Sequence, residues 1–402
     1  MGSLNVAADT GFHNAEQLVL PIKAPYDTKY TEVRWNTDKA ETAGVPLTAE
    51  GCVFLPVGNK IQKLNETTGE HIATVELSEK VSEEYRGIVI GNTLVQPTRT
   101  GVSVVNLNTM ALVNHRDMGA EIITDIALSD DCLYFAYSDG EGSKAVSLTL
   151  SGGLETLWEY SLKGRATSPT TDGEWVIFGA EDSLVCYNKK SGAVVENYIG
   201  ASVTSAPFAG EYAVYLSAED GCVYKLRLTE EGTIEDDTLT PCKVGAGLSA
   251  PLAYNGRVYV SSDEGFFILD SLNMKVLHSY PDLGGGTSPL VCIGNGPRVY
   301  VTAPLEDYWC LYSIYDTDEL EQPQLSQLAK LEDFTGGTVS AAMSGTLYFR
   351  DAFGRMFALA LVEYSILMII IKLILMLGIV VLAILLIRQL VKQRSSNNGF
   401  LK

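Results

Sequence analysis

ATSPTTDGEWVIFGAEDSLVCYNKKSGAVV, residues 166–195, reads as three short strands cut by turn signals. Thr167-Ser168-Pro169 leads into the first strand and Asp172-Gly173 turns it. Trp175 to Phe178 forms the second strand, Glu181-Asp182 the next turn, and Leu184 to Tyr187 the third strand. Ser191-Gly192 then turns the chain toward a fourth. Apolar, β-branched and aromatic runs of this length between Gly, Asp and Ser follow hairpin grammar rather than helical periodicity.

The unit recurs. Ser205-Ala206-Pro207 precedes Ala213 to Leu216, then Glu219-Asp220-Gly221 and Val223 to Leu226. Ser249-Ala250-Pro251 precedes Gly256 to Val260, then Asp263-Glu264-Gly265 and Phe266 to Leu269, and Thr287-Ser288-Pro289 precedes Arg298 to Val301. Pro169, Pro207, Pro251 and Pro289 are spaced 38, 44 and 38 residues apart, and Pro46 lies 123 residues before Pro169. A period near forty with four strands per unit is the mark of a β-propeller.

Seven units begin near Gly44, Tyr85, Ile123, Thr167, Thr204, Leu248 and Thr287, with an eighth near Thr338 that stops after its third strand. An orphan strand at 30–36, carrying Trp35 as Leu157-Trp158-Glu159-Tyr160 carries its indole, predicts ring closure by the chain's own start. The expected fold is all-β, an eight-bladed propeller over 29–361 with seven blades as the fallback. Closure of this kind removes the open sheet edges. Residues 1–28 form an N-terminal extension without a period.

After Glu363 the composition changes. Tyr364 to Ile387 holds 24 residues with only Lys372 charged, about 36 Å as a helix and enough to cross a bilayer. A single C-terminal transmembrane α-helix is therefore expected over 364–387, with Lys372 reaching for the headgroups. The tail, 388–402, holds Arg388, Lys392, Arg394 and Lys402 and no acid. Positive charge marks the cytoplasmic side, so the propeller is expected outside the cell membrane. Met1-Gly2-Ser3 lacks the basic start and apolar core of a signal peptide, which argues instead for a cytosolic, tail-anchored adaptor.

All 49 acidic residues lie at or before Glu363, with 24 of the 29 basic ones. A surface so negative repels phosphate backbones and excludes nucleic acid as a partner. The seven cysteines include no CxxC and no adjacent pair, and the four histidines are far apart in the chain, so no metal or catalytic residue is assigned. One constellation stands out. Turns between second and third strands share a face with the links between blades, and here they carry Asp139 and Glu141, Glu181 and Asp182, Glu219 and Asp220, Asp263 and Glu264, and Asp351. Acids suit tight turns beside glycine on conformational grounds alone. The functional reading is a negative mouth that attracts a basic protein segment or a cation. Cys222 and Cys242 face each other if their hairpin turns near Gly232. That geometry allows a disulfide and an oxidising compartment, although two buried free thiols are the reading favoured by the sequence.

The repeat resembles that of the pyrroloquinoline quinone (PQQ) family: Ser-x-Pro or Ser-Pro, a Gly-x-Val-Tyr-Val strand, an acidic-Gly turn, an apolar strand, then Thr/Ser-Gly before the outer strand. Thr167–Val195, Ser249–Leu269 and Gly44–Leu77, with Thr68-Gly69 at its last turn, fit best. The chain looks like the non-catalytic members of bacterial envelopes, whose relatives include quinoprotein alcohol dehydrogenases and the lipoprotein scaffold of the outer-membrane barrel-assembly machine. The resemblance implies a binding or scaffolding role toward protein or glycan, with no cofactor. Enzymatic members set an adjacent Cys-Cys pair and a Trp floor against the quinone, and no two cysteines adjoin here. A quinoprotein-like or sugar-acting enzyme is the rival reading.

Overall fold

The computed structural model describes residues 19–20, 31–38, 43–138, 140–210, 213–292, 297–317, 321–331, 340–341, 346–350, 355–361 and 366–397. Eight sheets follow one another along the chain, antiparallel throughout except that Val19–Leu20 adds to the seventh in parallel. Blades 1 to 7 take residues 47–76, 88–117, 127–162, 170–198, 208–243, 252–280 and 290–331. In blade 8, Ser340–Ala341, Thr346–Arg350 and Met356–Leu361 are completed by Thr31–Asn36 as the outer strand. Register pairs Thr31 with Leu361 and Asn36 with Phe357. Thr37 doubles the clasp, its N–H donating to Met356 O and its hydroxyl accepting from Met356 N–H. The ring is therefore closed by its own first long strand, with eight blades.

Strand position explains the residue pattern. Trp175–Gly179, a second strand, is buried along its whole length because neighbouring blades cover both faces of its sheet. It reads as a continuous apolar run. Outer strands have a solvent side, and His71–Glu76 is exposed except near Ala73 and Val75.

Adjacent blades are tied by a recurring bond. The Trp35 indole in blade 8 donates to Glu66 O in the third-to-outer turn of blade 1, at 3.0 Å. Trp158 in blade 3 does the same to Lys189 O in blade 4, at 3.3 Å. Each indole also covers the glycine of that turn. A Cβ on Gly69, whose φ is +71°, would fall 2.6 Å from Trp35, and one on Gly192, φ +68°, would fall 3.0 Å from Trp158. The Thr68-Gly69 and Ser191-Gly192 turns thus need glycine twice, for the left-handed backbone and for the ring above it.

The chain divides into two compact units, the propeller ending at Leu361 and a second that contains helix α1, Ile366–Asn397. Within α1, Ile370–Leu390 has a mean hydropathy of 3.2 and no buried residue, which makes it long and apolar enough to cross a membrane. Helical backbone continues through most of the basic tail, because nothing from Arg388 to Asn397 is a breaker.

Replacing Trp158 by Ala removes a nearly buried indole and should cost about 3–5 kcal/mol of propeller stability. Gly192→Ala should cost about 1–3 kcal/mol through backbone strain and the clash. Chemical denaturation followed by tryptophan fluorescence and circular dichroism checks both.

Candidate functional site

The acidic turns lie on the face where the links between blades emerge. Glu181, Asp182, Glu219, Asp220, Asp263 and Glu264 are all exposed there, in blades 4, 5 and 6, and Glu141 is exposed in blade 3. Asp139 and Asp351 lie outside the described residues. Blade 7 adds a pair that sequence reading missed: Glu306 and Asp307 occupy the turn between Arg298–Leu305 and Tyr308–Tyr315, both exposed. The signal was present but hidden by long strands and the absence of the acidic-Gly pattern.

Two of the carboxylates are held by the fold. Asp220 accepts the Tyr224 hydroxyl at 2.7 Å and the Cys222 N–H at 3.0 Å. Partial burial alone would raise its carboxyl, but these donors outweigh burial and hold it below the usual range. In blade 2, whose turn is Thr98-Arg99-Thr100, the acid comes from the preceding link. Glu79 accepts from the Thr98 and Thr100 hydroxyls at 2.8 and 2.7 Å. Burial again opposes ionisation and is outweighed, first by the Thr100 hydroxyl and then by Thr98.

A groove of about 510 Å³ opens on this face beside blade 3, between Glu84, Glu121, Glu141 and Arg165. Arg165 Nη2 donates to the Tyr85 hydroxyl at 2.7 Å and stands 4.0 Å from Glu84. This contact between exposed groups contributes little stability. Three carboxylates against one guanidinium leave the groove negative.

Nearer the axis, one residue from each link stands two positions before its inner strand: Val45, Arg86, Asp125, Ser168, Ala206, Ala250 and Ser288. All but Ser168 line a pit of about 110 Å³, so residues from opposite sides of the ring meet at the channel mouth. Among the described residues, only blades 2 and 3 place charge at this position, and they do it next to each other. Asp125 Oδ1 accepts the Arg86 backbone N–H at 2.6 Å, and the Asp125 N–H donates to Ser168 Oγ at 2.9 Å. Burial pushes the Asp125 carboxyl up and the Arg86 guanidinium down, each shift opposed by the other's charge. The sequence signal was the loss of the Ser-Pro or Ala-Pro lead-in at these blades.

The cysteine pair is not brought together. Register pairs Cys222 with Lys243 and Val223 with Cys242, so the hairpin centre falls half a residue beyond Gly232. Alternate side chains leave a strand on opposite faces, and both thiols are free.

No protein-family model matches the chain, and no curated protein does. Among solved structures it is similar to BamB from Moraxella catarrhalis, at 13% identity and TM-score 0.59, over 82% of this chain and 99% of that one. The shared fold is that of a β-propeller. The computationally designed protein Ika8 aligns at 13% identity and TM-score 0.60, over 85% and 98% of the two chains. Quinohemoprotein alcohol dehydrogenase from Comamonas testosteroni aligns at 10% identity and TM-score 0.59, over 90% and 79%. At such identities the likeness is one of fold.

Two outcomes follow from the turn chemistry. A depressed carboxyl pKa contributes stability above about pH 4 that disappears as pH falls through the folded value. Glu79→Gln and Asp220→Asn should therefore flatten the acid limb of the stability–pH curve, measured by denaturation between neutral and acidic pH. Burial raises the Cys222 and Cys242 thiols above their ordinary values. Iodoacetamide at pH 8 should label them more slowly in the native than in the unfolded protein, with no 222–242 bridge in unreduced peptides.

Proposed function

We propose that this protein is a membrane-anchored, non-catalytic propeller that binds and scaffolds a protein partner through its acidic face outside the cell membrane. The observation that carries this reading is the recurrence of exposed carboxylate pairs at one turn of blades 4, 5, 6 and 7. The carboxylate-rich groove beside blade 3 adds to it. Propeller loops bring residues distant in sequence onto one face, and a face of one sign selects a partner of the other. A basic segment of a protein fits this better than a neutral glycan. BamB-like neighbours agree with a binding role.

The helix, with the basic Arg388, Lys392, Arg394 and Lys402 after it, supports an extracytoplasmic propeller by the positive-inside rule. Protease added to intact cells would digest the propeller in that orientation. Protection until the cells are lysed would instead identify a cytosolic, tail-anchored adaptor. The quinohemoprotein neighbour favours one rival, a quinone-dependent dehydrogenase. The chain has no adjacent cysteine pair of the kind such enzymes set against the quinone. A quinone absorbance in the purified protein would overturn the non-catalytic reading.

The binding test neutralises exposed pairs and spares the structurally bonded Asp220. Glu181→Gln, Asp182→Asn, Asp263→Asn, Glu264→Gln, Glu306→Gln and Asp307→Asn together should weaken binding of a lysine-rich peptide by about tenfold or more. The remaining affinity should lose most of its salt dependence. Equal affinity and equal salt dependence in the two proteins would remove the acidic face from the function.

A further inference from the structure

The groove beside blade 3 already holds one cation, and it belongs to the chain. Arg165 is the only basic residue lining it, against Glu84, Glu121 and Glu141, and all four are exposed. At the matching position, five residues before the inner strand, the links into blades 2, 3, 5, 6 and 7 carry Glu83, Ile122, Val203, Gly247 and Gly285. Arg165 is thus a departure from the repeat.

The backbone on either side of the groove is fixed, while the arginine side chain is held lightly. The buried Ser143 hydroxyl donates to Gly164 O at 2.7 Å and accepts the Ala166 N–H at 2.8 Å, which clamps the chain on both sides of Arg165. Tyr85 is held likewise. Its N–H donates to Ser82 Oγ at 3.2 Å, and the Arg86 N–H donates to Asp125 Oδ1. Between these anchors the guanidinium reaches from the link into blade 4 to the link into blade 2, with Glu121 and Ile123 of the intervening link in the same groove. The Arg165 and Glu84 side chains are 71% and 75% exposed. A contact so solvated costs little to exchange. A rigid frame therefore presents a phenol oxygen and a carboxylate to a guanidinium that is tethered there and loosely bound.

We propose that this groove is the subsite for one arginine or lysine side chain of the basic partner, and that Arg165 holds its place in the free protein and yields it on binding. The groove itself identifies the occupant. Three carboxylates against one internal cation leave two negative charges, and acceptors that fit one guanidinium fit another. The inference rests on the acidic-face reading and adds to it one position and one competitor.

The test titrates the full-length protein in detergent with fluorescently labelled hexa-arginine. Arg165→Gln removes the competitor and should tighten binding about fivefold. Lys163→Gln removes the same charge from an exposed residue outside the groove lining, and should change binding by less than about twofold. Glu84→Gln should weaken binding about fivefold. In that background Arg165→Gln should bring little gain, because the two residues act through one contact. Weaker or unchanged binding by Arg165→Gln would overturn the subsite. Equal gains from Arg165→Gln and Lys163→Gln, or an undiminished gain in the Glu84→Gln background, would do the same. Absence of binding by the wild type and every variant would instead sink the acidic-face reading, and the subsite with it.

Discussion

A propeller of this kind holds together sideways, and here the sideways bond has one form. A side chain of one blade donates to a carbonyl in the third-to-outer turn of the next. Trp35 donates to Glu66 O, Lys63 to Leu107 O, Asn114 to Gly153 O and Trp158 to Lys189 O. Asn197 donates to Gly232 O, Lys225 to Leu272 O and Tyr280 to Pro323 O. The donors differ in chemistry and the acceptor is always main chain. Such a bond survives sequence divergence on the acceptor side, since any residue supplies a carbonyl. Glycine lies under an indole in three of these turns, Gly69 under Trp35, Gly192 under Trp158 and Gly232 under Trp175.

Once the radial contacts are fixed, the two faces of the ring are free to vary. The tips of the second-to-third turns in blades 4 to 7 are exposed, so acids accumulate there without disturbing the core. The exceptions are informative. Asp220 and Glu79 are bonded into their turns and belong to the fold as much as to the surface. Arg86 and Asp125 form the one adjacent charged pair in the ring at the channel mouth among the described residues, and they occur where the proline lead-in is missing. That mouth combines apolar walls from Pro207, Phe208 and Pro251 with Glu84, Arg86 and Asp125 from the links into blades 2 and 3.

Much of this was legible from residue order. The forty-residue period, the Trp35–Trp158 correspondence and the apolar run after Glu363 are local patterns, and each has a physical cause that acts locally. The eight blades and closure by the 30–36 strand follow from them. What escaped was set by register or by three-dimensional convergence. The Cys222–Cys242 mismatch turns on half a residue in a hairpin centre, which no composition rule resolves. Arg86 and Asp125 are 39 residues apart and meet only because consecutive links meet at the axis. Val19–Leu20 lies in a stretch without a repeat, and its pairing uses backbone groups that every residue has. Glu306 and Asp307 were visible as acids but not as members of the rim, because their blade has unusually long strands.

The closing clasp also sets an order of events during synthesis. Thr31–Asn36 is the first long strand made, and its partner Met356–Leu361 is the last, so the nascent chain carries an unmatched edge until nearly the whole propeller has emerged. A message cut short anywhere before Met356 yields blades with nothing to seal against. Ring closure is therefore among the last events of synthesis, because the two strands that meet in it are made at opposite ends of the propeller.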